Sequence, residues 1–143
     1  LHPVVHIHII NSDKRLLLQK RSLKKDIQPG KWDTSVGGHI NSGEELLDAV
    51  KRETKEELGI ELDETKIVPF SSYIFESEIE KEYVFSFIYI YDKEISFDID
   101  EIDEIKFFNI KEIEKLIKNA LTTQNFINEF SNLKSSEFIK LLD

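Results

Sequence analysis

Cysteine is absent from this 143-residue chain, which excludes disulfide frameworks, thiolate zinc sites and thiol nucleophiles together. That absence suits a reducing compartment. Methionine is absent as well and the chain opens on Leu1, so residues are expected to precede it. Cations are in short supply: 19 Lys and Arg against 28 Asp and Glu leave a formal charge of −9. An acidic surface disfavours nucleic acid and anionic membranes, both of which require basic patches. A small anionic substrate remains compatible, because a bound cation inverts the local field. No apolar run approaches the roughly 20 residues of a membrane span, and no charged-then-apolar leader opens the chain. The cytoplasm is the default compartment. Repeats, low-complexity tracts and linkers are also missing, so residues 1–143 are expected to form a single domain.

What is present reads as strands, one well-marked helix, more strands and further helices. Val4–Ile10 and Arg15–Arg21 are apolar runs joined by Asn11-Ser12-Asp13-Lys14, the composition of a β-hairpin turn. Ser22–Lys31, with Pro29-Gly30, is a loop, and Trp32–Gly38 a short strand ending in two glycines. From Ser42 to Leu58 several signs of a helix agree. Ser42 followed by Glu45 forms a capping-box pattern, Leu47, Val50, Thr54 and Leu58 make one stripe, and Gly59 supplies a C-terminal stop. Lys66–Phe75 and Tyr83–Tyr91 are β-rich runs around the exposed turn Glu76–Glu82. The second is apolar on both faces and is expected to be covered on both. Glu104–Phe108 is a last strand, Asn109 with Glu112 caps a helix to about Asn119, and Thr122–Leu142 carries one or two more helices. This order predicts an α/β fold: a mixed sheet with helices on both faces.

The chemistry concentrates on the central helix. Glu53, Glu56 and Glu57 stand at i, i+3 and i+4, so three carboxylates share one side of it. Like charges at this spacing destabilise a helix. Arg52 pairs with Glu56 at i+4, but one guanidinium does not neutralise three acids. A hard divalent cation does, since magnesium prefers oxygen ligands and bridges carboxylates to substrate phosphates. The preceding loop, Gly37–Gly43, offers backbone carbonyls and amides to such a site. Taken alone, the three glutamates read more readily as the solvated face of a helix than as a metal site.

The ordered pattern decides between these. From Gly38 the chain reads glycine, five residues, Glu44, seven residues, then Arg52-Glu53-Thr54-Lys55-Glu56-Glu57-Leu58-Gly59-Ile60. This resembles the Nudix hydrolase signature, G-x5-E-x7-R-E-U-x-E-E-x-G-U with U a bulky aliphatic residue. Every fixed Gly, Glu and Arg matches, and Thr54 at the first U is the one departure, on the core stripe rather than the acidic face. Flanking segments, Leu18-Gln19-Lys20-Arg21, Pro29–Asp33 and Ser35–His39, resemble the branch related to isopentenyl-diphosphate isomerases. Glu101–Phe108 resembles the late strand many members carry.

The resemblance implies a Nudix-type α/β/α sandwich with a mixed β-sheet and a pyrophosphohydrolase acting on a small-molecule diphosphate. It implies magnesium, with manganese as a substitute, held by Glu53, Glu56, Glu57 and the carbonyl of Gly38. Glu44 would be a further ligand or a water-organising acid, and Arg52 would orient a catalytic glutamate. Glu53 is the first candidate for the general base, with Glu101 and Glu104 as rivals. Homodimers are common in families of this kind.

Other residues leave two readings open. Arg21 and Lys25, in the basic cluster Lys20–Lys25, meet substrate phosphates or form a solvated loop. Trp32 stacks on a base or anchors its loop on the core, and His39 touches substrate or shapes the metal loop. His6 and His8 share a strand face, as a metal pair or as a substrate-lining wall. Two rival functions stand beside the hydrolase. One is a catalytically idle nucleotide-binding or regulatory module, against which the intact acid set argues. The other is an isopentenyl-diphosphate isomerase, whose family chemistry uses a cysteine that is missing here.

Overall fold

The structure is a computed structural model that describes all 143 residues. Seven strands form one mixed sheet: β1 (His2–Ile10), β2 (Leu16–Arg21), β3 (Trp32–Thr34), β4 (Val36–His39), β5 (Val68–Glu76), β6 (Lys81–Ile90) and β7 (Ile102–Phe108). Three α-helices cover it: α1 (Leu46–Leu58), α2 (Ile110–Lys118) and α3 (Gln124–Lys134). The expected α/β class with helices on both faces is therefore what the chain adopts. No helix is long and apolar enough to cross a membrane.

β1 sits at the centre, and every residue from Val4 to Ile10 is buried. It runs parallel to β6 from His2↔Glu82 to Ile10↔Ile90. On its other edge β4 lies antiparallel, from Val4↔His39 to Ile7↔Val36. Alternation along β1 sends Val5, Ile7 and Ile9 into a core shared with Val50 and Leu58 of α1. The opposite face looks toward a second core built from Leu16, Leu18, Ile88, Phe126, Phe130 and Leu133, under α2 and α3. β6 is likewise buried on both faces, with Val84, Ser86, Phe87, Ile88 and Tyr89 all enclosed.

Three local expectations are corrected. The hairpin turn after Ile10 forms, but β1 and β2 pair only at Ile10↔Leu16, because β4 occupies the rest of that edge. The strand expected over Trp32–Gly38 breaks at Ser35, where the chain changes partner: β3 pairs with β2 and β4 with β1. The buried Ser35 hydroxyl secures the switch by donating to Leu17 O at 2.5 Å and accepting from Ile9 N–H at 3.0 Å. The capping box at Ser42 does not form. Gly43 adopts φ +79°, which no first helical residue takes, so α1 starts at Leu46 with Glu45 as an N-cap lacking a side-chain bond. The box at Asn109 and Glu112 does form, at 2.9 Å in both directions. Gly59 ends α1 at φ +65°, as its position foretold.

Candidate active site

Arg52 organises the acidic end of α1. Its Nε and Nη2 donate to both oxygens of Glu44, at 2.8 and 2.9 Å, while Nη1 donates to Glu53 Oε1 at 2.7 Å. Nη2 also donates to the carbonyl of His39 at 3.0 Å, and Glu56 lies farther out at 3.4 Å. One planar guanidinium thus ties the Gly37–Glu44 loop to the helix, which a lysine lacks the donors to do. Glu44 closes the loop from the other side, accepting from Asn41 N–H at 3.0 Å. The arginine beside it, with that backbone donor, holds the Glu44 carboxyl down at about 2.

Glu57 is enclosed. Gln19 Nε2 reaches across from β2 to donate to its Oε1 at 2.8 Å. Burial and the neighbouring Glu53 push its carboxyl well above the usual range. Two adjoining carboxylates, one desolvated, are stable together only with a shared proton or a cation. Glu53 lies directly against the α-carbon of Gly38, where any Cβ would collide with its carboxylate. Glu56 points to solvent, its side chain 59% exposed, so as they stand the three glutamates do not converge on one point. The donor set is nonetheless all oxygen, with a close carboxylate pair under a loop that carries no side chain at position 38. That is the chemistry of a hard-cation site.

These groups open onto a cavity of about 630 Å³ that has only two apolar lining residues, Val4 and Ile27. Of the residues singled out from sequence, Gly38, His39, Glu53, Glu56, Glu57, Glu101, Arg21 and Lys25 line it. Lys25 pairs with Glu101, so one cation and one acid enter together from opposite loops. Arg21 supports the loop wall, donating from Nε to Ile27 O at 3.1 Å and lying 3.5 Å from Asp33. Glu44 and Arg52 stand behind the lining as its frame.

Two candidates fall elsewhere. Glu104 is exposed on β7 opposite Lys20 and does not line the cavity that Glu101 reaches from the loop before β7. Trp32 is buried in the second core, edge-on to Phe108 at 5.0 Å, and anchors the loop instead of facing the cavity. Three further lining residues carry no sequence signal: Gln19 is distant from Glu57 in the chain, and Thr123 and Asn125 come from the tail, for which no motif exists. His6 lines the cavity beside Gly37, while His8 is enclosed and donates from Nε2 to Glu129 Oε1 at 2.8 Å.

A helix bearing paired glutamates, clamped by an arginine to a glycine-bearing segment at the edge of a mixed sheet, is an arrangement of oxygen donors suited to a hard cation. The particular family follows from comparison: the NUDIX domain profile matches residues 1–130, and the chain belongs to the Nudix family. It is 31% identical over 140 residues to an uncharacterised Nudix hydrolase of Listeria innocua, covering 97% of this chain and 82% of that one. It is 35% identical over 125 residues to isopentenyl-diphosphate Delta-isomerase 2 of Photorhabdus laumondii, covering 84% and 69%. Among solved structures it resembles DR0079 of Deinococcus radiodurans, with a TM-score of 0.77 at 25% identity over 90% of this chain and 80% of that one. The NUDIX domain of Shewanella oneidensis NrtR, solved with ADP ribose, shares the fold, with a TM-score of 0.76 at 13% identity over 94% and 86%. As a class, Nudix hydrolases are pyrophosphohydrolases of nucleoside diphosphate-linked substrates.

Proposed function

We propose that this chain is a magnesium-dependent hydrolase that cleaves the phosphoanhydride bond of a nucleoside diphosphate linked to another group. The observation that carries this reading is the Glu53–Glu57 pair, packed on Gly38 and clamped by Arg52, at the wall of an open polar cavity. Glu53, Glu56, Glu57 and the Gly38 carbonyl would hold magnesium or manganese, with Glu44 framing them. Bound there, the cation supplies charge neutralisation of the diphosphate and a more acidic water.

The chain's own residues do the rest. Arg52 donates to Glu53 Oε1 and the whole carboxylate packs on Gly38, so Glu53 is held in a set direction. Its carboxylate would accept the proton of the attacking water, with Glu101 as the alternative base from the facing loop. Glu44 is held anionic by Arg52 and serves as a fixed counter-charge. Arg21, Lys25 and His39 would receive substrate phosphates at the cavity mouth. The substrate is a small molecule, and the acidic surface gives nucleic acid and membranes no purchase. A homodimer is compatible with this reading, and the cytoplasm is the expected compartment.

The Photorhabdus relative favours a second reading, isomerisation of isopentenyl diphosphate. The absence of any cysteine argues against it, since no thiol is available to serve as the acid. A binding or regulatory module with idle chemistry is the third reading. Product detection across sugar nucleotides, nucleoside triphosphates, dinucleoside polyphosphates and coenzyme A derivatives separates them. Cleavage with magnesium that stops in excess chelator is expected. A folded protein that binds magnesium and turns over none of them would support the binding module.

A further inference from the structure

Glu129 of α3 is a carboxylate with no exposed surface and no lysine or arginine beside it. Burying such a charge is unfavourable unless hydrogen bonds satisfy it. Four side chains gather on it. Ser86 Oγ donates to Oε1 at 2.6 Å, His8 Nε2 lies 2.8 Å from the same oxygen, and Tyr73 donates to Oε2. The fourth, His6, places Nδ1 3.4 Å from Oε1. Three of these partners lie away from the cavity, but His6 is part of its wall.

The geometry of β1 and β4 brings the other edge of this ring to the cavity. His6 pairs directly with Gly37, and a methyl group at position 37 would lie 3.3 Å from His6 Cδ2 and 3.5 Å from Nε2. Gly37 therefore leaves the Nε2 edge uncovered, one residue from the loop glycine on which Glu53 packs. Nδ1 lies 3.4 Å from the buried carboxylate without a well-formed hydrogen bond to it, and the Nε2 edge lies beside Gly37 at the cavity, so the ring stands between the two. An ionised Glu129 favours protons on both ring nitrogens. The protonated ring offers an Nε2 donor to a cavity wall that also carries Glu53, Glu57 and Glu82.

We propose that His6 binds substrate, donating from Nε2 to a phosphate oxygen on the β1 side of the cavity, and that Glu129 is the positioning residue for its ring. This deepens the hydrolase reading and rests on it, because it supposes that the diphosphate lies between α1 and β1. A site purely for structural support would need Glu129 with Ser86, His8 and Tyr73, but not the open edge of His6.

The test uses methylenediphosphonate, a diphosphate analogue that is not hydrolysed, with magnesium and the whole chain labelled with 15N-histidine. Titration is expected to move the His6 Nε2 resonance, assigned by its loss in His6→Asn, while His8 serves as an internal reference. His6→Asn is expected to weaken calorimetric affinity by about tenfold to a hundredfold, the worth of one charge-assisted hydrogen bond, with the melting temperature retained. Glu129→Gln is expected to shift the His6 Nδ1 resonance in the free protein, which loss of packing alone would not single out. Binding with an unmoved His6 resonance, or equal affinity in His6→Asn, overturns this proposal and leaves the hydrolase reading standing. A wild-type chain that binds no magnesium diphosphonate overturns both.

Discussion

At the scale of single residues, charge placement decides what each acid can do. Glu53 and Glu57 sit together with little solvent between them, and the energy of that pairing is released only when a cation or proton arrives. Glu53→Gln and Glu57→Gln are each expected to lower turnover by ~10²–10⁴ while circular dichroism reports an unchanged fold. Retained activity in both variants would remove the helix from the chemistry. Glu44 makes a different prediction, about pH. Its carboxyl is lowered from 4.5 to about 2 by Arg52, so its contribution to stability is present above pH 4.5. That contribution fades as pH falls from about 4.5 to about 2. Chemical denaturation at a series of pH values should therefore show Glu44→Gln less stable than wild type at pH 7, with the gap closing toward pH 2. A gap independent of pH would mean that packing, not the ion pair, holds the loop.

At the scale of elements, α1 shows how a strong motif and a weak one coexist in one segment. Thr54 departs from the family pattern at a buried position, and its hydroxyl is satisfied within the helix by Val50 O at 2.7 Å. The departure thus leaves no unpaired polar group in the core. Gly59 is less replaceable. It combines φ +65° with a backbone neighbour, Ser96 O, that would lie 2.9 Å from an added methyl group. Gly59→Ala is expected to cost about 1–3 kcal/mol, read as a lower denaturant midpoint at unchanged slope. A loss below a few tenths would show that the helix end relaxes freely. Helix boundaries were the least legible feature: Ser42 and Glu45 have the right spacing for a cap, yet the left-handed turn at Gly43 delays the helix to Leu46. At Asn109 no such turn intervenes and the same kind of signal formed the box it predicts.

At the scale of the whole molecule, the site is a meeting of distant segments. Gln19 and Arg21 arrive on or beside β2, Gly37 and Gly38 on β4, Glu53 and Glu57 on α1, and Glu101 from the loop before β7. Cation binding should therefore stabilise the fold as a unit, by RT ln(1 + [L]/Kd), which is about 2.7 kcal/mol at a hundredfold excess over Kd. Magnesium is expected to raise the melting temperature of the wild type, and this rise should vanish with chelator and in Glu57→Gln. An equal rise in Glu57→Gln would place the cation elsewhere.

The local order of the chain by itself determined the acidic face of α1, its glycine stop, the doubly buried β6 and the α/β class. Each depends on spacing along one element, and the backbone repeats of 3.6 and 2 residues convert spacing directly into a shared face. The signature carried Gly38, Glu44, Arg52, Glu53, Glu56 and Glu57 for the same reason. Tertiary structure alone decided which flanking residues join them. Whether Glu101 or Glu104 reaches the cavity depends on the register of β7 against β2, and whether Trp32 faces substrate or core depends on Phe108. Nothing in the sequence marks Glu129, and it is the partner of His6 and His8 because α3 packs across the far face of β1. Such contacts join residues more than a hundred positions apart, where no sequence period reaches and only the packing of one element on another sets the distance.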